Sequence, residues 1–220
     1  MPTDLESKKH ELISYLQQEG FLKTPSVIEA FEAVPREKFV PADARKFSYA
    51  NEPLDIGHGQ TISQPLTVAV MTEALDVHDG MHVLEIGTGS GYQAAIIANM
   101  VGVKEKVVST ERIPKLARIA RKNLAAAKIA NVEVIEYDGT KGYEKEAPYD
   151  RIIVTASALV VPQPLIEQLK PGGKMIIPVE TELWAIRKDE HGHIHRKMLG
   201  FYAFVPLIGE YGHRERAVGG

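Results

Sequence analysis

The stretch "VLEIGTGSGYQ", residues 83–93, reads as a short apolar strand, a glycine loop and the start of a helix. A dinucleotide fingerprint of the form G-x-G-x-x-G would need a third glycine where Tyr92 stands. The chain has Glu85-x-Gly87-x-Gly89-x-Gly91 instead. Glycines let a backbone turn sharply and approach a ligand without interference from Cβ. With no pyrophosphate to cradle, the nearby Glu85 carboxylate suits a cationic amine or a sulfonium. Taken alone, the loop fits a generic tight turn equally well.

Downstream, strands and helices alternate. "KVVSTE" (106–111), "VEVIEYD" (132–138), "DRIIVTAS" (150–157) and "GGKMIIPV" (172–179) are apolar runs like "MHVLEIG" (81–87). Between them lie the helical patterns "YQAAIIANMV" (92–101), "PKLARIARKNLAAAKI" (114–129) and "PQPLIEQLK" (162–170). Apolar runs separated by helices predict a doubly wound α/β fold around a mainly parallel sheet. The segment "ELWAIRKDEHGHIHRKMLGFYAFVPL" (182–207) predicts an antiparallel hairpin at one sheet edge.

Upstream, residues 4–19 and 25–34 predict two helices, the second with Thr24 as N-cap and Pro25 in its first turn. "VPREKFVP" (34–41), bracketed by prolines, reads as a loop or extended connector. "DIGHGQTISQPLTVAVM" (55–71) begins too polar for a core strand and ends in a helix over 65–75, for which Ser63 is the expected N-cap. The tail "EYGHRERAVGG" (210–220) is expected to fray or to take part in packing. The chain reads as one domain: N-terminal helices and loop over 1–60, a ligand-binding core over 61–208 and a tail over 209–220.

Composition narrows the function classes. With 44% hydrophobic and 25% charged residues the chain is globular rather than disordered. A net charge of −3 gives no global field to recruit nucleic acid. The absence of cysteine excludes disulfides, thiolate nucleophiles and Cys-based zinc sites. The N-terminus lacks a signal-peptide apolar core and no apolar run reaches membrane-spanning length, so a cytoplasmic monomer is expected, with no membrane or nucleic-acid partner.

Two further acids add to the glycine loop. Glu111 ends the second strand of the alternation, where a carboxylate can accept from both hydroxyls of a ribose. Asp138 ends the third, beside Gly139, and is placed to accept from an adenine amino group. Each alone is also a solvated acid at a strand end. Three acids at the carboxyl edge of an open α/β sheet mark the side where such sheets bind ligands.

The glycine pattern resembles the first motif of S-adenosylmethionine-dependent methyltransferases. More specifically, "VPREKFVP", "GHGQTISQP", "VLEIGTGSGYQAA", "YDGTKGYEKEAPYDRIIVTASA", "VPQPLIEQLKPGGKMIIPV" and "FVPL" resemble the protein-L-isoaspartate O-methyltransferase family over about residues 30–206. The resemblance implies a Rossmann-like methyltransferase fold, S-adenosylmethionine as cofactor, and damaged proteins and peptides containing isoaspartate as partners. It implies Ser63 as the active-site residue. The implied cofactor contacts are Gln60, Thr61, Ile62, Ser63, Ser90, Glu111, Arg112, Asp138 and Gly139, beside Glu85, Gly87, Gly89 and Gly91 of the loop. No metal is implied. Val68 and Ile208 depart from the family pattern, so no cofactor contact is carried over to them.

The opening of "GQTISQP" then has a physical reading. An isoaspartyl α-carboxylate is ionised at neutral pH, so methyl transfer needs alignment and desolvation rather than a strong base. Ser63 and N–H groups at the helix start could hold it; equally, Ser63 could serve only as the cap. A methyl ester acylates far more readily than a carboxylate, so the neighbouring backbone nitrogen displaces methanol, giving a succinimide whose hydrolysis returns some normal aspartate.

Other signals read more plainly. His191, His193 and His195 alternate in an exposed hairpin; Arg112, Lys115, Arg118 and Lys122 form a solvated helix face; Trp184 packs; Ser157 borders the cleft. Two rivals remain at this point. An RNA methyltransferase would need base-stacking aromatics and a basic groove, and a nucleotide-binding module would lack turnover.

Overall fold

Helices α1 (Asp4–Gln18) and α2 (Pro25–Ala33) lead to a small hairpin of β1 (Leu54–Gly57) and β2 (Gln60–Ile62), followed by α3 (Pro65–Leu75). The alternation then runs β3 (Val83–Ile86), α4 (Tyr92–Met100), β4 (Val107–Glu111), α5 (Pro114–Ala126), β5 (Val132–Glu136), β6 (Tyr149–Val154), α6 (Gln163–Glu167) and β7 (Leu169–Val179). Strands β8 (Glu182–Lys188) and β9 (Ile194–Phe201) close the sheet. This structure is a computed structural model that describes residues 4–215.

Seven strands form one sheet in the order β5-β4-β3-β6-β7-β8-β9. Strands β3 to β7 are parallel to one another; β8 runs antiparallel to both β7 and β9, which is the expected edge hairpin. The parallel strands are apolar on both faces because helices cover both. Val83 and Leu84 of β3 and Ile152, Ile153 and Val154 of β6 are wholly buried. The chain leaves β3 toward β4 on one side and later returns to β6 on the other. This reversal opens a crevice at the carboxyl ends of β3, β4 and β6. The N-terminal helices join the same core: Leu16, Ala30 and Phe31 pack in one cluster with Val83 and Ile153.

Five expectations change in detail. "VPREKFVP" is not extended but holds a 3-10 turn at Arg36–Lys38. Thr24 precedes α2 without a side-chain cap; its hydroxyl donates to Glu73 Oε2 at 2.6 Å. Part of the polar run is a hairpin: Gly57 pairs with Gln60, and His58 and Gly59 both take positive φ, as a tight two-residue turn of matching twist requires. The helix at 162–170 stops at Glu167, and β7 starts at Leu169, because Tyr149 pairs with Leu169 before a bulge shifts the register to Arg151 with Lys174. The tail packs on the sheet end through residue 213, where Ile208 bridges to His213; of the expected loose segment, 216–220 lies outside the described residues.

Candidate functional site

The glycine loop, β2 and the ends of β4 and β6 enclose a two-lobed cleft at the sheet crevice. One lobe, about 600 Å³, is bounded by Gln60–Ser63, Gly87–Ser90, Tyr92 and Glu111. The other, about 400 Å³, is bounded by Glu111–Ile113, Gly139 and Pro206–Ile208. Gln60, Gly87, Glu111 and Ala156 belong to both. A groove of about 850 Å³ opens beside the first lobe between Pro53 and Phe201–Val205, and shares Thr61, Ser63, Thr155 and Val205 with it.

The loop geometry explains the glycines. Gly87 sits at φ +94°, and a Cβ there would stand 2.5 Å from Thr155 Oγ1. Gly89 donates its N–H to Glu111 Oε2 at 2.9 Å, while Ile113 N–H donates to Oε1 at 2.9 Å. Glu111 is thus fixed by two main-chain donors at the junction of the lobes, with lone pairs left for a ligand diol. At Gly139 a Cβ would meet Thr110 Oγ1 at 2.5 Å and Ile86 Cγ2 at 2.6 Å, so the wall there must be bare backbone.

Ten of the thirteen expected residues line the cleft: Gln60, Thr61, Ile62, Ser63, Gly87, Gly89, Ser90, Glu111, Arg112 and Gly139. Three are set back from it. Glu85 is wholly buried beneath the loop: Ser109 donates to its Oε2, Ser109 Oγ is 2.6 Å from Thr88 Oγ1, and Oε1 has no hydrogen-bond partner among the described residues. Burial foremost, with the Glu111 charge adding, pushes its carboxyl up to about 8, which suits a neutral acid rather than a partner for a cationic amine. Gly91 is the residue before α4, and a Cβ there would stand 3.3 Å from Leu124, so it serves helix packing. Asp138 turns to the tail: Oδ1 accepts from Thr140 N at 3.0 Å and Thr140 Oγ1 at 2.6 Å, and Oδ2 accepts from Glu210 N at 2.9 Å. A carboxylate so engaged ties the turn after β5 to the segment that follows the Pro206–Ile208 wall. Losing a charge-assisted bond costs about 2 kcal/mol. Asp138→Ala should therefore lower the melting temperature and speed amide exchange at Glu210 and Tyr211, with any loss of nucleoside affinity following from the loosened wall.

Ser63 is not the cap of α3; Gln64 holds that position and makes no side-chain cap bond. The Ser63 carbonyl accepts from Arg36 Nη2 at 2.8 Å, while its hydroxyl has no partner among the described residues. Pro65 has no N–H and Leu66 gives its own to Asn51 Oδ1 at 3.0 Å, so the helix start offers fewer amide donors than expected. Sequence reading missed Thr88, Tyr92, Gln93, Met71 and Thr155 as cleft residues, along with Val68 and Ile208, the two positions that depart from the family pattern. Thr88, Tyr92 and Gln93 adjoin the loop in sequence, whereas Met71 on α3 and Thr155 after β6 reach the cleft only through the fold.

The signals set aside earlier also have places. His193 Nδ1 and His195 Nε2 lie 3.2 and 3.0 Å from Asp189 Oδ2, and with the amides of His191 and His193 they hold that carboxyl well below its usual range. Arg112 pairs with Glu215 at 3.1 Å. The Trp184 indole donates to Glu182 Oε2 at 3.1 Å. Ser157 gives its hydroxyl to the Glu180 carbonyl at 2.6 Å and does not line the cleft.

A family model described as protein-L-isoaspartate(D-aspartate) O-methyltransferase matches residues 7–212. The chain is 52% identical over 212 residues to protein-L-isoaspartate O-methyltransferase 2 of Archaeoglobus fulgidus, covering 95% of this chain and 96% of that one. It is 51% identical to the Methanopyrus kandleri protein-L-isoaspartate O-methyltransferase, covering 94% of each. A crystal structure described as a putative protein-L-isoaspartate O-methyltransferase from Plasmodium falciparum, in complex with S-adenosyl-L-homocysteine, superposes with a TM-score of 0.81 at 27% identity. That match covers 94% of this chain and 99% of that one.

Proposed function

Because the chain belongs to the protein-L-isoaspartate(D-aspartate) O-methyltransferase family, we propose that its two-lobed cleft aligns an isoaspartyl α-carboxylate for methyl esterification, with Ser63 as the residue that holds it. The enzyme is S-adenosylmethionine-dependent and acts on isoaspartyl residues of proteins and peptides. The residues fit that cofactor: bare backbone at Gly87 and Gly139 leaves room for close approach, and Glu111 presents a doubly held carboxylate where the lobes meet. When bound, S-adenosylmethionine supplies an electrophilic methyl group on a sulfonium.

The roles of the chain's own residues follow from their places. Glu111 would hold the ribose hydroxyls, with Gln60, Thr61, Ile62 and Ser90 closing the first lobe. Arg112, Gly139 and the Pro206–Ile208 wall would enclose the base in the second. The damaged peptide would enter by the groove along Phe201–Val205, since that groove meets the first lobe at Thr61, Ser63, Thr155 and Val205. The observation that carries the assignment is Ser63: half-buried, common to lobe and groove, its hydroxyl unengaged among the described residues and its carbonyl fixed. The incoming carboxylate is already ionised and needs no base. It needs one directional donor and exclusion of water, which together supply several kcal/mol of orientation.

Ser63→Ala should lower kcat about 10- to 100-fold, the loss of one hydrogen bond to a charged group. It should leave the melting temperature within about 2 °C, because this side chain caps nothing. Steady-state kinetics beside calorimetry would check both, and a normal kcat would remove Ser63 from the chemistry. The activity itself is tested by labelled methyl transfer to an isoaspartyl peptide, set against its normal aspartyl twin and tRNA.

We further propose a cytoplasmic monomer, organised as one domain over 1–220, with no nucleic-acid or membrane partner. Among the described residues no helix is long and apolar enough to cross a membrane. Edge strand β9 exposes His195, Arg196 and Lys197, charges that oppose edge-to-edge pairing. The net charge is −3, and Arg112, which precedes α5 instead of lying on its face as expected, pairs with Glu215.

A further inference from the structure

The "VPREKFVP" turn buries a cation that the proposed mechanism does not use. Arg36 has no exposed surface. Its Nε donates to the Ser48 carbonyl and its Nη2 to the Ser63 carbonyl, each at 2.8 Å, while its guanidinium carbon stands 4.9 Å over the Tyr92 ring. Among the described residues Nη1 has no hydrogen-bond partner. The partners of this buried charge are therefore two carbonyls and an aromatic face, not a carboxylate. The adjacent Glu37 accepts instead from the Tyr49 hydroxyl at 2.5 Å.

A guanidinium buried without a counter-ion is costly, and an apolar side chain of similar volume would fill the space more favourably. What an apolar chain cannot do is fix two carbonyls with one rigid fork. Ser63 and Tyr92 line the same lobe from different elements, the segment before α3 and the first residue of α4. One side chain thus ties the peptide-facing wall to the glycine-loop helix. We propose that Arg36 is a positioning residue for methyl transfer, holding the Gln60–Ser63 wall in register with the loop through the Ser63 carbonyl. The inference rests on the methyl-transfer reading of this cleft. Its leverage is geometric, because displacing a reacting group by about 1 Å can cost about a hundredfold in rate.

The test is a double-mutant cycle of Arg36→Lys and Ser63→Ala. The rate of isoaspartyl-peptide methylation at saturating S-adenosylmethionine is divided by the number of S-adenosylhomocysteine-binding sites, so that unfolded protein does not count. Lysine keeps the charge and loses the fork. The expected result is a kcat about tenfold or more below wild type for Arg36→Lys, with the double variant within about threefold of the worse single one. A kcat for Arg36→Lys within twofold of wild type, or losses that multiply in the double variant, overturns the proposal. Should Ser63→Ala alone be fully active, the role of its hydroxyl falls, and the proposal stands or falls on Arg36→Lys per binding site. If the lysine variant binds no S-adenosylhomocysteine, Arg36→Gln, neutral but still a donor, enters the same cycle. If neither variant binds it, Arg36 is a structural residue and the proposal fails.

Discussion

Glu85→Gln is expected to part from the wild-type protein in stability as the pH rises, the two being similar near pH 5 and the variant the more stable near pH 9. The Glu85 carboxyl is wholly buried and titrates at about 8 instead of 4.5. The folded chain therefore binds that proton more tightly than the unfolded chain does. Its contribution to stability is fully present below pH 4.5, drains as the pH rises toward about 8, and stays lost above. At about 1.4 kcal/mol per unit, the swing is on the order of 5 kcal/mol. Glutamine keeps the size and neutrality of the protonated acid and cannot ionise, so the difference between the two curves isolates this one group from all others that titrate. For a chain of this length the difference in melting temperature should change by roughly 10 °C or more across the window. Parallel curves would mean that Glu85 is already charged in the fold. The same measurement bears on function, because Ser109 links Glu85 to Thr88 in the cleft wall. S-adenosylhomocysteine affinity should weaken in the wild type as Glu85 ionises beside Glu111, and should do so less in the variant.

The position of Glu85 also shows where sequence reading stops. The parallel strands were legible because burial on both faces leaves unbroken apolar runs such as Val83–Leu84 and Ile152–Val154. That same double burial erases the alternation that would say which face a residue takes. An acid in such a run could point to the ligand or into the core, and only packing against Ser109 decides it. The contacts of Asp138 were illegible for a different reason: its partner, Glu210, lies 72 residues away in a tail with no pattern of its own. The hairpin at Leu54–Ile62 was hidden by its polarity, although the two-residue turn His58–Gly59 carried the signal. By contrast, Gln60–Ser63, Glu111 and the loop glycines Gly87 and Gly89 were readable in place, since strand ends and loops at a sheet crevice leave little freedom over where they lie.

Gly87→Ala is expected to remove most of the cleft's affinity for S-adenosylhomocysteine. Gly87 belongs to both lobes of the cleft and sits at φ +94°, a backbone conformation that costs an L-residue about 1–2 kcal/mol. The new Cβ would also lie 2.5 Å from Thr155 Oγ1. Thr155 cannot swing away freely, because it is β-branched and its hydroxyl donates to the carbonyls of Gly87 at 2.7 Å and Ile86 at 3.1 Å. The clash must therefore be relieved by breaking those bonds or by moving the loop, and moving the loop displaces Gly89, whose N–H holds Glu111. We expect S-adenosylhomocysteine affinity to fall at least about 100-fold, with a stability loss of about 2–3 kcal/mol. Gly59→Ala supplies the control: its φ is +68°, but a Cβ there meets nothing within 4 Å, so it should cost about 1 kcal/mol of strain and spare most of the affinity. Adding Thr155→Ala to Gly87→Ala removes the obstructing hydroxyl and should restore part of the affinity but not the strain. Isothermal titration of the three variants would separate these terms. Native affinity in Gly87→Ala would mean that the ligand does not lie against this loop.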